Sequence, residues 1–178
     1  MEHMAVNNLF PSHWILPPEQ ELYPPELTGP AILCDLDGVL SDAAWRQHLI
    51  ATENDKDWDG FFAQCGEVPY IDDVVTLLGL LDKGLLVVLL TGRPASVQSQ
   101  TVKWLRDYPL RWDLLIMRNY GDYSAAKEFK ANSLKEIRDR GIEPVLAFED
   151  DRRNVNMFKA NGVPCVYIHS GYYDHLNL

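Results

Sequence analysis

The sequence has no apolar run long enough to cross a bilayer and no signal-peptide pattern, so a cytoplasmic setting without a membrane partner is expected. Positive charge is short: the net charge of −10 argues against a broad electrostatic platform for nucleic acid, though a local basic pocket is still allowed. Cysteine is limited to Cys34, Cys65 and Cys165, an odd number without metal-like spacing. Disulfides and zinc are therefore not expected, and Cys34 and Cys165, inside apolar strand-like runs, should pack as small hydrophobes. Internal repeats are missing too. What remains is ordinary for a globular chain: 178 residues, 47% hydrophobic and 24% charged, enough for one domain with a sizeable core.

Proline is confined rather than scarce. Six of the eleven fall within 1–30 (Pro11, Pro17, Pro18, Pro24, Pro25 and Pro30), where no periodicity is sustained. This stretch reads as an extended or polyproline-like arm, with Trp14, Ile15 and Leu16 the side chains able to pin it to the body.

From Ala31 onward apolar runs alternate with helical patterns. Strands are expected at 31–37, 85–91, 112–118, 144–149 and 164–169, and helices at 72–83, 94–107, 124–140 and 151–161. Pro94 suits a first helical turn and Ser124 a helix cap. Five strands separated by helices imply an α/β domain over 31–178, built on a parallel five-stranded sheet with helices on both faces. The sizeable insertion, 41–70, follows the first strand directly and should hang over its end as a small cap, with a helix at 42–51.

The run Ile32-Leu33-Cys34-Asp35-Leu36-Asp37-Gly38 ends an apolar strand in two aspartates one residue apart, followed by a glycine. Such a strand delivers both carboxylates to the sheet rim, where open α/β proteins keep their ligand crevice. A nucleophile and a proton donor within one turn suit phosphate chemistry, although the same residues alone read equally as a turn or as a fragment of a calcium loop. Three further elements fall where a rim site needs them. Thr91, Gly92 and Arg93 end the second strand, Lys130 lies in the helix after the third, and Glu149, Asp150 and Asp151 end the fourth. Each has a plain reading as strand residue, solvated lysine or helix cap, but their joint order at successive strand ends is hard to reach by chance.

In that order the residues resemble the haloacid dehalogenase-like (HAD) superfamily of phosphotransferases, whose four motifs correspond to Asp35-Leu36-Asp37-Gly38, Thr91-Gly92-Arg93, Lys130 and Asp150-Asp151. A more local similarity is to the phosphatase domain of polynucleotide kinase–phosphatase, through Gly121-Asp122, Asp150-Asp151-Arg152 with Val155 and Phe158, Gly162-Val163-Pro164-Cys165, and Ser170-Gly171. Two departures stand out. Tyr123-Ser124 occupies the place where that subfamily usually has a basic residue, and Glu149 adds an acid.

The resemblance implies a three-layer Rossmann-like fold and a Mg²⁺-dependent phosphomonoester hydrolase. Asp35 would form an aspartyl-phosphate and Asp37 would shuttle protons, while Thr91, Gly92, Arg93 and Lys130 would hold phosphate. The metal would sit among Asp35, the Asp37 main-chain carbonyl and Asp150, with Asp151 orienting Lys130 or a metal-bound water. Charge points the same way. Phosphate with Asp35, Asp150 and Asp151 brings about −5, against about +3 from Mg²⁺ and Lys130, so the site would repel its substrate without the metal. Lys127, one helical turn from Lys130, is the rival phosphate ligand.

The substrate is left between a nucleotide, a nucleic-acid end and another small phosphorylated metabolite, with the arm or a second copy in a homo-oligomer able to close the site. A non-catalytic receiver-like phosphorylation module is the alternative of another class. Its acidic pair would come early and its lysine late, the reverse of the order here.

Overall fold

The computed structural model describes residues 10–22, 24–108 and 110–176. Its centre is β2 (Gly29–Cys34), whose Ala31, Ile32, Leu33 and Cys34 are all buried. A strand buried on both faces needs neighbours on both edges, and β2 pairs in parallel with β3 (Leu86–Pro94) on one side and β5 (Ile142–Glu149) on the other. Beyond β3 lies β4 (Leu114–Arg118) and beyond β5 lies β6 (Cys165–Tyr167), both parallel to their neighbours.

Strand alternation divides the core in two. Ile32, Cys34, Val87, Leu89 and Leu115 face one layer, with Val74, Val75 and Leu78 of α2 (Asp72–Leu80) and Trp104 and Leu105 of α3 (Gln98–Asp107). Ala31, Leu33, Val88, Leu90 and Leu114 face the other, with Phe129, Leu134 and Ile137 of α4 (Ala126–Asp139) and Met157 and Phe158 of α5 (Arg152–Ala160). The three-layer α/β fold is the one the strand and helix pattern implies.

Among the described residues the sheet has six strands, not five. The additional one, β1 (Trp14–Ile15), comes from the Pro-rich arm and lies antiparallel on the outer edge of β4, Trp14 opposite Ile116. Trp14 and Leu16 join one half of the core and Ile15 the other, so the arm closes an otherwise open edge. Two residues are too few for strand periodicity to register, and the partner lies about a hundred positions away, which is why the sequence pattern misses it.

Smaller differences have local causes. Pro94 does not open a helix; it ends β3 opposite Arg118, and a 3₁₀ turn (Ala95–Val97) leads into α3. Ser124 does not cap α4, because its hydroxyl donates to Asp122 at 2.6 Å, and Ala125 takes the cap position without a side-chain bond.

Segment 41–70 contains a 3₁₀ helix (Ala44–Leu49) where an α-helix is expected, then α1 (Trp58–Ala63). Its two ends are clasped: Asp42 N donates to Pro69 O at 2.9 Å and Ile71 N to Leu40 O at 2.7 Å. Trp104 Nε1 and Tyr108 Oη both donate to Val68 O, tying the exit of the segment to α3. No helix among the described residues is long and apolar enough to cross a membrane.

Candidate active site

Cys34 is the last residue of β2, flanked by Leu89 and Phe148, so Asp35 emerges at the carboxyl edge of the sheet between β3 and β5. Thr91 and Glu149 reach the same rim from those two neighbours. Lys130 enters from α4 with only 2% of its surface exposed. Its ammonium lies 2.8 Å from Asp35 Oδ2 and 2.6 Å from Glu149 Oε2. Lys127 is exposed on the outer face of α4, so Lys130 is the lysine that reaches the aspartate.

Asp150 completes the cluster. One carboxylate oxygen each of Asp35, Glu149 and Asp150 lies within 4.8 Å of the others. Three carboxylates beside one ammonium leave two formal negative charges uncompensated. Burial, reinforced by the neighbouring acids, pushes the Asp35 and Asp150 carboxyls well above the ordinary carboxylate range, while Lys130 pulls both down.

Both Asp150 oxygens are buried without a hydrogen-bond partner. The Ser170 hydroxyl faces them but falls short of hydrogen-bond geometry. Orphaned buried oxygens beside excess negative charge are what a hard divalent cation would satisfy, and the all-oxygen donor set suits Mg²⁺ or Ca²⁺ better than a soft metal. Gly38 keeps this space clear. Its φ of 87° is a left-handed conformation, and a Cβ there would stand 2.0 Å from Asp150 Oδ2.

Asp37 lies across the site in a different environment. Arg93 grips it with both forks, Nε to Oδ2 at 3.0 Å and Nη2 to Oδ1 at 2.6 Å. Arg46 Nη2 adds a contact to Oδ1 at 2.5 Å and the Ser41 hydroxyl another at 2.8 Å. Burial alone would raise the Asp37 pKa, but Arg93 and then Arg46 outweigh it and hold the carboxyl well below the usual range. Both arginines are fully buried and held in turn: Arg46 stacks on Phe61 and donates to its carbonyl, and Arg93 lies over Trp104.

Several expected placements change. Arg93, expected on substrate, is committed to Asp37. The Asp37 side chain is not among the clustered metal-type oxygens, so only its main-chain carbonyl is left for the role expected of it. Asp151 does not orient Lys130. It caps α5 by accepting from Arg153 N at 2.9 Å and pairs with the Arg153 guanidinium at 2.8 Å. Glu149 takes the lysine instead, and its other oxygen accepts from the Asp150 and Asp151 amides. Thr91 is buried at the rim, its hydroxyl accepting from Arg93 N at 3.2 Å, beside Gly92. Arg46 is the functional side chain that sequence reasoning misses, since a lone arginine in an irregular insertion carries no pattern.

Solved structures share this architecture. A chain in the structure of a Pnkp1/Rnl/Hen1 complex superposes with a TM-score of 0.67 at 24% identity, over 79% of this chain and 46% of that one. A second, from the Pnkp1/Rnl/Hen1 RNA repair complex, gives 0.65 at 24% over 79% and 42%. The class C acid phosphatase from Bacillus anthracis with tungstate bound gives 0.57 at 18% over 83% and 69%. The chain thus spans less than half the length of the first two, and at these identities the likeness is one of fold. No curated protein matches the sequence. Fold and site together define a HAD-superfamily phosphatase. Residues 29–173 match the polynucleotide kinase PNKP phosphatase domain, and the chain belongs to that family. It is therefore an enzyme of phosphoester hydrolysis, and the receiver-like alternative is set aside.

Proposed function

We propose that the chain hydrolyses phosphomonoesters through an aspartyl-phosphate on Asp35, with Mg²⁺ as cofactor and a nucleotide or nucleic-acid end as substrate. The observation that carries this reading is the buried cluster of Asp35, Lys130, Glu149 and Asp150, with its excess negative charge and unpartnered Asp150 oxygens. Asp35, Asp150 and the Asp37 main-chain carbonyl would hold the metal, which when bound supplies positive charge to phosphate oxygens and so lets a carboxylate approach a phosphate dianion.

The chain's own groups do the rest. Lys130, fixed by Glu149, neutralises Asp35 and offers a donor to a phosphate oxygen. Attack by the Asp35 carboxylate on phosphorus forms the acyl phosphate and releases the substrate oxygen. Water then attacks the same phosphorus and frees Asp35. Asp37 transfers the proton, giving it to the departing oxygen and taking one from the water. Its clamp of Arg46 and Arg93 aims the carboxylate and favours its ionised form, which suits the second step. A phosphate dianion arriving beside Asp37 raises its pKa and so opposes the arginines in the first step. Thr91 and the Gly92 amide flank the phosphate position.

Family membership and a fold neighbour in an RNA repair complex support this choice of substrate class. Association with other repair proteins, and closure of the site by a second copy, are proposals on the same footing. So are residues 41–70 acting as a cap and 31–178 as the catalytic domain. The test is turnover of an aryl phosphate, of 3′-phosphorylated oligonucleotides and of mononucleotides, with and without Mg²⁺. Asp35→Asn should abolish turnover of all three while leaving the circular-dichroism spectrum unchanged. Activity retained by that variant rejects Asp35 as nucleophile, and strong preference for mononucleotides rejects a nucleic-acid end.

A further inference from the structure

We propose that Arg118 forms a second anion subsite beside the reaction centre, binding a negatively charged group of the substrate other than the phosphate that is hydrolysed. The inference rests on the phosphatase reading above for the position of the scissile group. Arg118 closes β4 opposite Pro94 of β3. Its guanidinium lies over the Phe129 ring, 5.3 Å from the centroid, and Nη1 donates to the Ser124 carbonyl. Nη2 points at Gly92, 3.6 Å from where a Cβ would stand, and beyond the adjoining residues no other atom comes within 4 Å of that point. Nη2 therefore borders the open space over Gly92, beside the Thr91-Gly92 backbone.

The other contacts of Arg118 answer its charge only in part. Nε is buried without a hydrogen-bond partner. Among the described residues no carboxylate stands within ion-pair distance of it, whereas Arg93 and Arg46 are both paired with Asp37. Burial disfavours the charged form of Arg118, and Asp122 compensates only in part. A half-buried guanidinium held by a ring and a carbonyl, with Nη2 turned to the space over Gly92, is prepared for an external anion.

Sheet order separates this anion from the scissile phosphate. β4 lies two strands from β2, and Nη2 reaches only as far as the β3 backbone. Neighbouring strands are about 4.8 Å apart, so the fork stands about one strand spacing to the side of Asp35. A substrate whose scissile phosphate lies at Asp35 would present a second charge there. Two sources share this chemistry: the other phosphate of a nucleoside bisphosphate, and the flanking phosphodiester of a polynucleotide end.

The experiment uses Asp35→Asn protein with Mg²⁺, in which binding is measured without turnover. A nucleoside 3′-monophosphate, the corresponding 3′,5′-bisphosphate and a 3′-phosphorylated dinucleotide are titrated in turn. At least one of the last two should bind about tenfold more tightly than the monophosphate, and Arg118→Gln should erase that advantage. A gain confined to the bisphosphate assigns the subsite to a terminal phosphate, and a gain confined to the dinucleotide assigns it to a phosphodiester. Arg118→Lys, which keeps the charge without the fork, should reduce the advantage by about threefold and decides the matter if the glutamine variant does not fold.

Equal affinities in the starting protein, or an advantage that survives substitution, overturn the subsite. So does an equal loss on the monophosphate, which would place Arg118 on the scissile group. A wild-type protein inactive toward aryl phosphate would instead sink the phosphatase reading while leaving the binding comparison intact.

Discussion

Replacing Lys130 by methionine keeps most of the buried aliphatic volume and removes the charge that holds the site together. The ammonium sits between Asp35 and Glu149 at 2.8 and 2.6 Å, with Asp150 part of the same cluster. Removing one partner of a buried ion pair costs about 3–5 kcal/mol, because the charges left behind have lost both water and counterion. In a chain of this length each kcal/mol moves Tm by about 2–4 °C, so Lys130→Met should melt about 6–20 °C lower in EDTA at about pH 8.

The pH dependence has a definite sign. Burial already raises the Asp35 pKa against the pull of Lys130, and losing the lysine raises it further. A folded-state pKa above the unfolded value means the native state binds more protons, so stability is lost as pH rises. The deficit should therefore shrink at about pH 5, where Asp35 takes up a proton, and shrink at about pH 8 when Mg²⁺ is added. Thermal melts followed by circular dichroism at the two pH values, with EDTA or Mg²⁺, measure all three effects. A wild-type Tm for the variant in EDTA at about pH 8, or a deficit as large at about pH 5, refutes the reasoning.

The same electrostatics predict the wild-type response to metal. Asp35 and Asp150 are both raised by burial, so in EDTA stability should fall as pH climbs above the unfolded value of about 4, and Mg²⁺ should flatten that fall; parallel urea titrations check it. Arg93→Gln leaves Asp37 with Arg46 as its one arginine and the Ser41 hydroxyl, which should lower kcat/KM by about a hundredfold and move its acidic limb to higher pH. An unmoved limb would show that Asp37 does not titrate in catalysis. Trp14→Ala removes a side chain 5% exposed that packs beneath Arg140, and should cost about 3–5 kcal/mol in urea unfolding while folded molecules keep their turnover of aryl phosphate.

Much of the architecture is legible in the linear order of residues, because apolar runs and helical spacing are local signals. β2 through β6, the layers around them and the rim positions of Asp35, Thr91 and Glu149 follow from runs of neighbouring side chains and from the parallel winding those runs impose. β1 escapes for the converse reason: its two residues become a strand only because β4 offers an unpaired edge.

Within the site, residue types are readable but partners are not. That Glu149 rather than Asp151 meets Lys130 depends on where α5 begins. Glu149 is still on the strand facing the lysine, whereas Asp151 has become a helix cap engaged by Arg153. Arg93 turns from substrate to Asp37, and Arg46 joins it from an irregular segment, because buried charges settle on whichever opposite charge the packed chain places within reach. Spacing along the chain can place an acid at a sheet rim; only the three-dimensional packing of segments dozens of residues apart decides which cation answers it and which oxygen is left waiting for a metal.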